Sequence, residues 1–161
     1  MVDRTIHISI DRQELVLFEG QDELRRFSIS TALNGPGELS GSGGTPRGRH
    51  YIRACIGAEM PENAVFVGRR PTGEVFDEAL AEAFPKRDWI LTRILWLSGL
   101  ERGRNRLGRV DTMQRYIYIH GTPDSEPMGV PLSHGCVRMR NRELIWLFDR
   151  VSAGTQVVIE E

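Results

Sequence analysis

Residues 5–10, "TIHISI", alternate strictly: Ile6, Ile8 and Ile10 fall on one side and Thr5, His7 and Ser9 on the other. Period-two alternation of this kind is the signature of a half-buried strand, because successive side chains of a strand point to opposite faces. A turn over Asp11-Arg12-Gln13 leads into "ELVLFE", the second arm of a hairpin, and "RRFSIST" gives a third strand. "RHYIRACI", "RYIYIHG" and the terminal "TQVVIEE" resume strand character, and "WILTRILWL" is an apolar, β-branched run that reads as a buried strand, although its periodicity alone does not exclude a helix. In "RYIYIHG", Tyr116 and Tyr118 share one face while Ile117 and Ile119 share the other. His7 and His50 read as exposed strand residues.

Helical signals are few. Residues 77–84, "DEALAEAF", form a short helix that Pro85 ends. Leu144, Leu147, Phe148 and Val151 recur at helical spacing, which predicts a C-terminal helix over 141–152, N-capped by Asn141 and stopped by Gly154. "NGPGELSGSGGTPRG" can only be loop, and loops of that length are functional or disordered more often than passive. The expectation is a mostly β, single domain over 1–161. A chain of 161 residues is long enough to bury a substantial core.

Charge narrows the partners. Net charge is −1, so no global field draws the protein to nucleic acid or to an anionic membrane. No apolar run approaches a membrane span. "MVDRTIHISIDRQELVLFEG" carries charges every few residues and does not read as a signal peptide. With Met1 as the natural start the expected location is the cytoplasm; a leader upstream would make it the periplasm.

The chemistry concentrates in "LSHGCVRMRN", residues 132–141. Cys136 is one of two cysteines, too few for a disulfide framework. It can be a buried filler, a metal ligand or a nucleophile. A nucleophilic thiol needs a base or a positive charge beside it. His134 stands two residues before it, and His120 ends the "YIYIH" strand. Gly135 suits a close backbone approach or a positive φ, and its amide with that of Cys136 can donate to an oxyanion. Cys55 has no histidine near it in sequence and reads as packing.

"IHG", a short loop and then "SHGCVRM" followed by Asn141 resemble the signature of the L,D-transpeptidase catalytic-domain family. "STALNG" and "GTPRGRHYI" resemble that family's upstream segments. The resemblance implies a β-sandwich with one or two short helices and a crevice over the cysteine, spanning 1–161. It implies Cys136 as nucleophile, His120 as general base, and the Gly121 carbonyl as orienter of the imidazole. Ser133 and His134 would line the site, Gly135 would help form the oxyanion hole, and Arg138 would hold the cysteine loop or meet a substrate carboxylate. The implied substrates are peptidoglycan stem peptides or muropeptides, cleaved after the third residue, meso-diaminopimelate, with loss of terminal D-alanine; no metal or organic cofactor is needed. The chain most resembles short, signal-less L,D-carboxypeptidases of muropeptide recycling, in which water takes the acyl group. The alternatives are an L,D-transpeptidase that forms cross-links, a non-catalytic muropeptide-binding module, and a zinc site built from His120, His134 and Cys136. The arginine loop 102–109 is a solvated loop or steers substrate carboxylates through Arg104, Arg106 or Arg109. The 69–88 segment is a lid or an exposed excursion.

Overall fold

The computed structural model describes residues 3–161. The predicted hairpin is β1 (Arg4–Ser9) and β2 (Glu14–Glu19), paired antiparallel with Ile6 opposite Leu17 and Ile8 opposite Leu15. All four side chains are buried, which fixes the register, since a one-residue slip would turn the apolar face to water. β3 (Asp22–Ser28) extends the hairpin. β4 (Gly48–Ile56), β5 (Ala64–Val67), β6 (Arg70–Val75) and β7 (Ile90–Gly99) follow, with the short helix α1 (Glu78–Ala83) between β6 and β7. β8 (Tyr118–Gly121), β9 (Val137–Met139), α2 (Asn141–Phe148) and β10 (Gln156–Glu160) complete the chain.

The strands run β3-β2-β1-β10-β4-β7-β5-β6, and β8 and β9 continue from β7. The outer edge of β9 does not stay open. Arg138 N donates to Ser30 O at 2.8 Å and Ser30 N to Arg138 O at 3.0 Å, so the chain just past β3 pairs with β9. The sheet thereby bends back on itself and encloses the main apolar core, with two smaller clusters around Phe66 and around Trp89. Ile6, Leu17, Phe27, Ile52, Leu95, Ile119, Val137, Leu144 and Ile159 all belong to the main core. Mostly β, with two short helices, this is the layered β architecture that the sequence resemblance implied.

Four expectations need correction. The C-terminal helix covers 141–148, not 141–152. It stops early because the chain must reach β10: Gly154 N donates to Ile52 O at 2.8 Å, and Ile52 N to Thr155 O at 2.9 Å. Its N-cap is Arg140, while Asn141 lies inside the first turn with its side chain turned elsewhere. Tyr116 does not begin a strand: its φ is +56°, half of it is exposed, and β8 starts at Tyr118. No helix is long and apolar enough to cross a membrane among the described residues.

His50 is buried, not solvated. Its Nδ1 lies 3.0 Å from Gly48 O and its Nε2 2.9 Å from Thr112 Oγ1. A carbonyl only accepts, so Nδ1 carries the proton and Nε2 takes the Thr112 hydroxyl. Burial, only partly offset by the Gly48 carbonyl, pushes His50 down from 6.5 to about 4. The unfolded chain therefore takes up a proton that the fold resists. Stability is complete above the ordinary value and drains as the pH falls toward 4, by about 3 kcal/mol when the depression is converted at ~1.4 kcal/mol per unit. Urea midpoints measured from pH 7 to 4 should fall steeply for the wild type, and His50→Gln should flatten that slope by a comparable amount.

Candidate active site

β8 and β9 lie parallel, with Ile119 opposite Val137 and His120 opposite Arg138. Period two then sorts the side chains: Ile119, Val137 and Met139 enter the core, while Tyr118, His120 and Arg138 face a cavity of about 360 Å³. Cys136, just before β9, lines the same cavity, as do Ser133 and His134. So do Arg69, Asp88, Arg115 and Tyr116, which come from three other parts of the chain.

The cysteine is half-buried and unpaired. Its Sγ receives Tyr118 N–H at 3.3 Å and donates to Tyr116 O at 3.4 Å. Burial pushes the thiol up to about 12, against the pull of the Tyr118 amide and of the Arg138 and Arg115 charges. The resting thiol is therefore protonated.

His120 is buried, and burial holds its pKa below the ordinary histidine value despite the Gly121 carbonyl. Nδ1 lies 2.6 Å from Gly121 O. That oxygen can only accept, so Nδ1 bears the proton and Nε2 is left with a free lone pair. A neutral thiol and a neutral imidazole with a defined tautomer share one cavity.

Two glycines permit this geometry. A Cβ on Gly121 would meet Asn141 Oδ1 at 2.1 Å and the Leu91 carbonyl oxygen at 2.6 Å. Asn141 fills that space as a latch: it accepts from Thr92 Oγ1 at 2.6 Å and donates to Thr122 O at 2.9 Å and Asn63 Oδ1 at 3.1 Å. It ties β7, the residues after β8 and α2 together behind the histidine. Gly135 has φ +131°, a conformation closed to side-chain-bearing residues.

The other residues singled out from the sequence divide into two groups. Ser133 and Gly135 shape the cysteine loop: Ser133 Oγ donates to Cys136 O at 2.5 Å and accepts from Gly135 N at 3.2 Å. Thr45 of the "GTPRG" stretch donates to Gly135 O at 3.0 Å and accepts from Ala32 N at 3.0 Å, so both upstream segments brace that loop. Arg138 and His134 meet at Asp88, at 3.3 Å and 3.6 Å respectively. Arg138 is almost buried; His134 projects into solvent.

No arginine of loop 102–109 lines this cavity. That loop is a closed turn held by Asn105, which takes Glu101 N–H at 2.9 Å and gives its amide to Arg47 O and Arg49 O. Among the described residues no group of three His, Cys, Asp or Glu side chains has metal-binding geometry, so His120, His134 and Cys136 do not make a ligand set. Sequence reasoning missed Arg115, and it flagged Arg69 and Asp88 only as part of the 69–88 segment, whose two ends line the cavity. Singly, each gave no signal beyond a polar residue flanking a strand, which is common everywhere.

Comparison with known proteins agrees with this architecture. The L,D-transpeptidase catalytic domain family (YkuD) matches residues 3–159. The probable L,D-transpeptidase YbiS of Escherichia coli (strain K12) is 46% identical over 43 residues, 27% of this chain and 14% of that protein. The putative L,D-transpeptidase YqjB of Bacillus subtilis (strain 168) is 44% identical over 43 residues, 27% of this chain and 24% of that protein. The aligned segments thus span under a quarter of the length of those relatives. Among solved structures, L,D-transpeptidase 3 from Mycobacterium tuberculosis, in complex with a faropenem-derived adduct, superposes with a TM-score of 0.61 at 14% identity, covering 99% of this chain and 61% of that one. The L,D-transpeptidase from Xylanimonas cellulosilytica DSM 15894 gives a TM-score of 0.56 at 22% identity, covering 98% and 60%. At such identities the likeness is one of fold, and this chain spans about three fifths of those chains. With the family matched across nearly every residue and the fold shared, the chain belongs to the L,D-transpeptidase catalytic domain family.

Proposed function

We propose that the protein is a cysteine-dependent L,D-carboxypeptidase acting on peptidoglycan stem peptides. It would cleave the bond between the third residue, meso-diaminopimelate, and terminal D-alanine, on soluble muropeptides of the kind met in recycling. The observation that carries this reading is the shared cavity of Cys136 and His120, with the imidazole fixed by Gly121 O at 2.6 Å, in a chain of this family.

The chemistry follows from the protonation states. As Cys136 Sγ bonds to the substrate carbonyl carbon, its proton passes to His120 Nε2, and Nδ1–H keeps its bond to Gly121 O. The Gly121 carbonyl stabilises the imidazolium where other triads place a carboxylate. The Gly135 amide is already held by Ser133 Oγ, so donation to the developing oxyanion falls to the Cys136 amide. Collapse of the tetrahedral intermediate breaks the C–N bond, and His120 returns the proton to the departing amine. Water then gives a proton to His120 as its oxygen attacks the thioester, and the thiol leaves with that proton restored.

Water is the acceptor in this proposal. A cavity of about 360 Å³ lies near the lower end of ligand sites, roughly 300–1,000 Å³. It has room for the end of one stem peptide. Incubation with a diaminopimelate tetrapeptide, alone and with a second stem as acceptor, followed by mass spectrometry, tests this. Tripeptide and free D-alanine without dimer are expected. Abundant cross-linked dimer would replace the carboxypeptidase by a transpeptidase, and no release of D-alanine would end both readings.

A further inference from the structure

Three guanidinium groups line the cavity, and they differ in what satisfies them. Arg138 is paired with Asp88. Arg115 gives its N–H groups to the carbonyls of Gly37, Glu38 and Gly44, at 2.9, 3.2 and 2.6 Å. Arg69 donates to the Tyr118 hydroxyl at 3.0 Å, and among the described residues no carboxylate pairs with it.

Arg69 is also held in place. Its guanidinium lies 4.8 Å from the Trp96 ring centroid and 4.7 Å from that of Tyr116. The residue sits in the β5–β6 turn with φ +66°, a backbone state that costs energy for any residue with a Cβ. A planar fork of five donors, oriented by two rings and one hydroxyl, keeps most of its hydrogen-bonding capacity for something in the cavity. Carboxylate is the group that geometry matches best.

We propose that Arg69, positioned by Tyr118, Trp96 and Tyr116, is a carboxylate subsite that selects acyl-donor peptides by one free carboxylate near the scissile bond. This rests on the proposed stem-peptide chemistry. Such a donor offers three: that of the terminal D-residue, that on the side chain of the third residue, and the free α-carboxylate of a γ-linked second residue. Tyr118 is a positioning residue here, since it acts through Arg69.

The test compares the tetrapeptide acid with three versions, each amidated at one of those carboxylates, on wild type, Arg69→Gln, Arg69→Lys and Tyr118→Phe. The wild type should prefer the acid at one position by about 10- to 100-fold in kcat/KM, carried mainly in KM, as expected for one charge-assisted contact. Arg69→Gln should erase that preference, slowing the acid about 10- to 100-fold more than the amide that the wild type disfavours. Arg69→Lys, with charge but no fork, and Tyr118→Phe, with the fork unmoored, should each keep part of it. A preference left intact by Arg69→Gln, equal slowing on all four donors, or no wild-type preference at any position would overturn this inference alone. Turnover of no donor by the wild type would overturn the proposed function and this inference with it.

Discussion

Cys136→Ala protein is expected to release no D-alanine from a stem tetrapeptide, a loss of at least about 10³-fold, because the covalent route disappears with its only nucleophile. The fold should survive the change. Cys136 is half-buried, and the loop around it is held chiefly by Ser133, Thr45 and Gly135, with the thiol adding only two long contacts to Tyr116 and Tyr118. Matching urea midpoints for wild type and variant would show that the loss is chemical. Cys136→Ser should be nearly as inactive: its hydroxyl occupies the same place but is a far weaker nucleophile with only a neutral imidazole to assist it. Persistent turnover in Cys136→Ala would make the proposed covalent mechanism untenable.

His120→Gln is expected to lower kcat/KM by about 10²- to 10⁴-fold, the usual worth of a positioned general base. The pH profile separates loss of a base from loss of structure. In the wild type the base must be neutral, so activity rises with pH through the His120 value. Burial has lowered that value, which moves the acid limb below the ordinary histidine range and leaves a plateau through neutrality. Without the imidazole, the thiol pushed up to about 12 must ionise unaided. The residual rate of His120→Gln should then climb about tenfold per pH unit up to the highest pH the protein tolerates. A flat residual profile would contradict the assignment of His120 as base.

The two residues are matched by environment. Burial disfavours both thiolate and imidazolium, so Cys136 and His120 rest as neutral groups and not as an ion pair with each other. The charged state arises only as the carbon–sulfur bond forms, when the tetrahedral oxygen and the imidazolium appear together. A cavity with Arg69, Arg115 and Arg138 against Asp88 carries excess positive charge, which favours an anionic peptide over a neutral one.

The sequence showed most of this, and its failures share one cause. β1, β2, β4 and β7 were legible because burying one face of a strand demands an alternating or continuous apolar pattern, as "TIHISI" and "WILTRILWL" display. β6, "RPTGEV", was not: it is largely exposed, and its order comes from pairing with β5 and from the Glu74–Arg87 ion pair. β9 is three residues long and exists only because β8 lies on one side and Ser30 on the other. Asn141 looked like a helix cap, since a cap needs only local backbone groups. Its actual partners, Asn63, Thr92 and Thr122, are far away in sequence.

The candidate site divides the same way. Cys136, His120 and Gly135 could be singled out because a thiol, a histidine and a glycine stand in two short stretches, while the pairing of His120 with the Gly121 carbonyl, 2.6 Å apart, was implied only by the family resemblance. Tertiary structure alone decided what surrounds them. It buried His50 and His120, placed Asp88 against Arg138 and His134, turned Arg69 into the cavity, and kept the 102–109 arginines out of it. Residue type and local spacing determine which chemistry a chain can attempt. Burial and long-range pairing set the protonation states and the charges facing the substrate, because both depend on which distant strands pack beside the site.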